Sequence, residues 1–137
     1  MGIDGLLKIG IVVKDLDEAT RVFTEVLGLT PAGGAFYEPF GMRYGVCGVG
    51  DSLIELMEPM TADGPIGRFM ENRGEGLQHM CLEVSNIEEM MSQLREKGVE
   101  FVQDVPEELD SAFGRLKYVF ISPHVFNGVL VQLMERL

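Results

Sequence analysis

Hydrophobic and polar positions alternate from Leu6 to Val13, which places Leu7, Ile9, Ile11 and Val13 on one face of a predicted strand and Lys8, Gly10 and Val12 on the other. Asp15 stands three residues before Glu18, the spacing of a capping box, so a helix is predicted to begin there. Leu16, Ala19, Val22, Phe23, Val26 and Leu27 recur at three- and four-residue intervals as one stripe to be buried, and Gly28 supplies a left-handed stop. The glycine- and proline-rich stretch from Pro31 to Gly41 predicts a loop or a poorly regular strand. Strands are expected from Met42 to Val49 and from Leu53 to Met57, joined by a turn at Gly50 and Asp51. Pro65 then suits the first turn of a short helix with Ile66, Phe69 and Met70 inward, and Gly74 and Gly76 lead out of it.

The same rhythm restarts at His79. Met80, Leu82 and Val84 form a strand face, Asn86 and Glu89 a second capping pair, Ile87, Met90, Met91 and Leu94 a second helical stripe, and Gly98 a second stop. Lys8 and His79 are 71 residues apart, as are the caps Asp15 and Asn86. The phrase Ile-Glu-Leu-Met-Glu at 54–58 returns as Val-Gln-Leu-Met-Glu at 131–135. The chain is therefore read as one domain over 1–137 built from an internal repeat. Module one covers about 6–59, a linker with a short helix 60–76, and module two about 77–137. Each module is too small to bury its helix and strands alone, so the two are expected to pair in an α+β domain, with a curved mixed sheet around a central cleft.

Composition narrows the function classes. A formal charge of −11, from 22 acidic and 11 basic residues, opposes nucleic acid or an anionic membrane surface as a partner. No long apolar run suggests a membrane span, and two cysteines, Cys47 and Cys81, suit a reducing, cytoplasmic setting better than a disulfide framework.

Five phrases carry a resemblance: KIGIVVKDLDEA at 8–19, IELMEP at 54–59, PIGRFMENRGEGLQHMCLEV at 65–84, REKGVEF at 95–101 and GVLVQL at 128–133. In order and spacing they resemble the vicinal oxygen chelate superfamily of glyoxalases, ring-cleaving dioxygenases and bleomycin-resistance proteins, and within it the methylmalonyl-CoA epimerases. The resemblance implies two paired βαβββ modules and a divalent metal held at four strand positions. Those positions fall on Lys8, Glu55, His79 and Gln132, where the epimerase pattern has His, Glu or Gln, His, and Glu. A lysine ammonium has three donors and no lone pair, so it does not ligate a metal while protonated. We therefore expect no cofactor, with Lys8 paired to Glu55 in place of the ion. A site of Glu55, His79 and Gln132 holding Co, Ni, Mn, Zn or Mg is the alternative if Lys8 swings aside.

The bases that the resemblance implies fall on Tyr44 and Gln132. Glutamine's neutral amide does not serve as a base, and a phenol of reference pKa about 10 is a poor one. Lys8, Glu55, His79 and Tyr44 are thus the candidate catalytic set, with Gln132, Arg43 and Arg115 as candidate substrate contacts. Lys117 is a further candidate cation for the phosphates of an acyl-CoA tail, and His124 reads as a surface residue. Taken singly, Lys8, Glu55 and Gln132 fit outward-facing polar alternation on half-exposed strands; the repeat argues for a functional face. Two functions follow: an isomerase or lyase-like enzyme on an acyl-CoA or related small carbonyl compound, or a metal-free small-molecule binder of the bleomycin-resistance type. The aromatic residues Phe36, Tyr37, Phe40 and Phe113 suit the second. A homodimer is expected from the resemblance.

Overall fold

A computed structural model describes residues 2–111 and 114–137, so Phe113 lies outside the described residues. The chain divides into two compact units, residues 8–78 and residues 79–137 with the segment up to Leu7. The short linker helix thus belongs with module one.

Module one contains β1 (Ile3–Val12), α1 (Leu16–Leu27), β2 (Thr30–Tyr37), β3 (Met42–Val49), β4 (Ser52–Pro59) and α2 (Pro65–Arg73). Its strands lie in the order β2-β3-β4-β1. β1 runs parallel to β4, with Lys8 opposite Leu53 and Gly10 opposite Glu55, while β3 is antiparallel to both β2 and β4. Module two repeats the plan with β5 (Gly76–Val84), α3 (Ile87–Glu96), β6 (Glu107–Ser111), β7 (Gly114–Ile121) and β8 (Leu130–Arg136), ordered β5-β8-β7-β6. β5 is parallel to β8, and β7 is antiparallel to β6 and β8. Two βαβββ modules with segregated helices place the chain in the α+β class.

Each helix covers one face of its own sheet. In module one Val13, Leu16 and Leu56 form the buried cluster, with Ile11, Ala19, Phe23 and Ile54 packed against it. In module two Ile87, Met90 and Met91 of α3 pack on Val84, Val119, Val131 and Leu133. A side chain such as Ile87, with no exposed surface, contributes about 1.5–3 kcal/mol through this burial.

The repeated Leu-Met-Glu phrase has a structural cause. Asp15 and Asn86 accept the amides of Glu18 and Glu89, as the capping spacing predicts. The first amide of each helix goes to a distant carboxylate: Leu16 N donates to Glu58 Oε1 at 3.1 Å, and Ile87 N to Glu135 Oε1 at 2.8 Å. Each final-strand glutamate therefore satisfies an otherwise orphaned helix N–H and places a negative charge at the positive end of the helix dipole. Glu18, expected to reach back and complete a capping box, is instead paired with Arg21.

Of the two readings of Pro31–Gly41, loop or poorly regular strand, the second holds: β2 pairs with β3 from Thr30 to Tyr37, with a register shift between Pro31 and Gly33, and a 3-10 turn follows at Glu38–Phe40. Glycine is needed there because a Cβ at Gly34 would lie 2.6 Å from the Tyr44 carbonyl oxygen. The α1 stripe is also narrower than its periodicity implies, since Val22, Val26 and Leu27 are exposed. Their spacing is helical, but that end of the face stays open to solvent.

Replacing Glu135 by Ala should destabilise the protein by about 1 kcal/mol, the usual cost of losing a helix N-terminal cap. Urea denaturation should show the loss, and hydrogen exchange should quicken at the Ile87 amide.

Candidate functional site

The parallel and antiparallel registers decide which residues share a face. In module one Lys8 of β1, Glu55 and Met57 of β4, and Tyr44 and Val46 of β3 lie on the sheet face opposite α1, with Val46 directly across from Glu55. In module two His79 and Cys81 of β5, Gln132 of β8, and Tyr118 and Phe120 of β7 lie on the face opposite α3, with Phe120 across from Gln132.

The polar members of these faces are not exposed edges. Lys8 is 3% exposed, Glu55 5%, His79 6% and Gln132 3%, so outward-facing polar alternation does not describe them. Burying such groups is costly unless they are partnered. Lys8 Nζ donates to Glu55 Oε1 at 3.0 Å, forming within module one the ion pair that the sequence suggests. Tyr44, 6% exposed, sits on the same face. His79 contacts the Phe120 ring edge-on, with centroids 6.0 Å apart.

The donor chemistry at the four positions implied for a metal is mixed. In module one the Glu55 carboxylate is already neutralised by an ammonium, which repels a divalent cation and offers it no lone pair. Among the described residues no group of three or more His, Cys, Asp or Glu is arranged to hold an ion. The donor set does not fit a divalent metal while Lys8 keeps its proton.

The remaining candidates lie elsewhere. Arg43 is on the α1 side of β3, paired with Glu58 at 3.3 Å and Asp17 at 3.5 Å. Arg115 pairs with Asp110 at 2.9 Å and Glu108 at 3.7 Å near the β6 edge. Lys117 pairs with Glu88 at 2.8 Å, and this hydrogen bond holds the Glu88 carboxyl below its ordinary range and the Lys117 ammonium above its own. His124 is an exposed residue of the 3-10 turn Pro123–Phe126, 3.8 Å from Glu100. Of the aromatic residues, Tyr37 and Phe40 pack edge to face at 4.8 Å, while Phe36 is exposed. Both cysteines are buried thiols outside any disulfide, and burial pushes the Cys47 thiol up, which leaves it a poor nucleophile.

Tyr118 and Phe120 escaped the sequence reading. The signal was present: Met42-Arg43-Tyr44 returns as Leu116-Lys117-Tyr118, so the repeat extends to the third strand of each module. Tyr44 faces Met57 in register, and Tyr118 faces Met134.

A βαβββ unit present twice, each with buried polar residues on the sheet face away from its helix, defines a protein of the two-module, vicinal oxygen chelate class. The family model of the Glyoxalase/Bleomycin resistance protein/Dioxygenase superfamily matches residues 7–115, and the chain belongs to that superfamily. It is similar to the uncharacterized protein YqjC of Bacillus subtilis, 34% identical over 93% of this chain and 89% of that one. It is also similar to the ethylmalonyl-CoA/methylmalonyl-CoA epimerase of Cereibacter sphaeroides, 31% identical over 93% of this chain and 94% of the relative. Among solved structures, the methylmalonyl-CoA epimerase of Mycobacterium tuberculosis superposes with a TM-score of 0.91 at 29% identity, covering 98% of this chain and 89% of that one.

Lys8→Met should leave the Glu55 carboxylate buried without its cation and cost about 3–5 kcal/mol in urea unfolding. The double variant Lys8→Met/Glu55→Gln should recover much of that loss, because neither partner is then a stranded charge.

Proposed function

We propose that this chain is a diverged methylmalonyl-CoA-epimerase-like enzyme, an isomerase or lyase-like catalyst on an acyl-CoA or related small carbonyl compound. In it Lys8 takes the place of a metal. The observation that carries the proposal is the buried Lys8–Glu55 pair at 3.0 Å. Support comes from relatives named for epimerisation of methylmalonyl-CoA and ethylmalonyl-CoA.

The chemistry asked of the site is removal of a proton from the carbon alpha to a thioester, with stabilisation of the enolate oxygen. Glu55 is a carboxylate and accepts the proton; His79 is the other candidate for that task. As Glu55 becomes neutral, its attraction for the Lys8 ammonium falls. The Lys8 donors then turn to the negative enolate oxygen, so one proton transfer moves the cation's partner from protein to substrate. A buried site strengthens this exchange, because a charge pair interacts more strongly out of water. Tyr44, on the same face as Glu55, donates a proton to the intermediate, and the Gln132 amide orients the carbonyl compound.

Arg43 and Arg115 are the proposed contacts for the phosphates of a coenzyme A tail, each exchanging its present carboxylates for phosphate. The protein acts as a cytoplasmic homodimer in this proposal; its cysteines, outside any disulfide, suit a reducing compartment.

The test is exchange of the alpha proton of methylmalonyl-CoA in deuterated buffer, followed by mass spectrometry. Exchange by the wild type should survive prolonged treatment with a strong chelator, whereas Lys8→Ala should lower it by about a hundredfold or more. Full loss on chelation, restored by added cobalt, would return the metal to the mechanism. Tight binding of small apolar ligands with no exchange of any acyl-CoA is the outcome expected of a bleomycin-resistance-type binder.

A further inference from the structure

Epimerisation needs two groups that handle protons, because the hydrogen removed from one side of the carbon is replaced from the other. Beyond Glu55 and Tyr44, module two contains a phenol–carboxylate pair of its own that is able to move a proton. Tyr118 is completely buried on the same face as His79 and Gln132, and its phenol donates to Glu107 Oε2 at 2.7 Å. Glu107 lies across from Tyr118 in the β6–β7 register and is itself exposed. One hydrogen bond therefore joins the buried interior of this face to a carboxylate in contact with water.

The surroundings hold that pair in place. Phe120 packs edge-on against both neighbours, 6.0 Å from the His79 ring and 5.7 Å from the Tyr118 ring. The backbone of Phe120 is pinned by Gln103, whose Oε1 accepts its amide at 2.8 Å. Module one has the equivalent phenol, Tyr44, but its register partner on the edge strand is Ala35. The repeat thus carries two phenols, and only the one in module two stands across from a carboxylate.

An isolated phenol is a weak base because its oxygen must first lose a proton, at a reference pKa of about 10. A phenol already bonded to a carboxylate escapes that requirement, since it passes its own proton on as it accepts another. We propose that Tyr118 is a catalytic proton-transfer residue and Glu107 its proton acceptor, an inference that rests on the acyl-CoA enzyme reading above. The C–H bond breaks as the proton moves to the Tyr118 oxygen, while the Tyr118 O–H proton passes to the Glu107 carboxylate. The electron pair left on carbon moves into the thioester carbonyl to form the enolate. Reversal returns a proton to carbon, and exposed Glu107 equilibrates with water between turnovers.

The experiment compares wild type, Glu107→Gln and Tyr118→Phe in the alpha-proton exchange of methylmalonyl-CoA across a range of pH. Both variants should epimerise about a hundredfold or more slowly. In Glu107→Gln the remaining activity should also shift to higher pH, because Tyr118 must then ionise unaided. Glu107 is exposed, so Glu107→Gln should keep the wild-type melting temperature and gives the decisive result even if Tyr118→Phe misfolds. A wild-type rate and profile in Glu107→Gln overturns the inference while leaving the enzyme reading intact. A slower Glu107→Gln enzyme with an unshifted profile also overturns it, since that marks a purely structural role. No exchange of any acyl-CoA by the wild type overturns both.

Discussion

An ammonium and a carboxylate, both almost wholly removed from water, meet at 3.0 Å on the face of β1 and β4 turned away from α1. Neither charge could stay in that environment alone, so each makes the other's position tenable. The pair constrains the chemistry as well as the structure. An amine stands where the resemblance implies a metal ligand, and its charge is matched by the Glu55 carboxylate. A metal ion polarises a carbonyl without exchanging protons; an ammonium stabilises the same oxygen by hydrogen bonding and stays coupled to the carboxylate beside it.

The two modules share a frame and differ in what they hang on it. In both, a final-strand glutamate takes the first helix amide, which ties helix to sheet by the same long-range bond. In both, a tyrosine stands two register positions along from the central polar residue, on the same face. Module one places a lysine and a glutamate on its buried face, whereas module two places a histidine and a glutamine. The frame residues answer to packing and to orphaned backbone groups, which are the same in each copy. The face residues are free of that constraint, and there the copies differ in residue type.

Charged surface residues mostly occupy one another. Arg43, Arg115 and Lys117 are each held by carboxylates, as expected on a chain with twice as many acidic as basic residues. Exposed pairs of this kind contribute little to stability, and screening by salt reduces them further. Their availability to a phosphate depends on how readily each carboxylate is displaced, which sets them apart from the buried Lys8.

Much of the fold was legible in the order of residues. Period-two and period-3.6 patterns marked β1, α1 and α3, Asp15 and Asn86 marked the helix starts, and the echoes between Lys8 and His79 and between Glu55 and Gln132 marked equivalent positions. These signals are local or repetitive, so sequence alone carries them. The stretch at Thr30–Tyr37 was legible only as loop or poorly regular strand, because glycine and proline lower local strand preference and pairing with β3 decides between the two. Nor did periodicity show that Val22, Val26 and Leu27 of α1 stay exposed, since a helical stripe records spacing and not what covers it. Sequence by itself established the repeat and the residue types at its chemical positions. Tertiary structure decided that the expected Lys8–Glu55 pair is buried, that Glu58 and Glu135 close the helix starts, and that Tyr118 meets Glu107. Each of these contacts joins residues distant along the chain, and their partners are set by strand register rather than by any neighbouring residue.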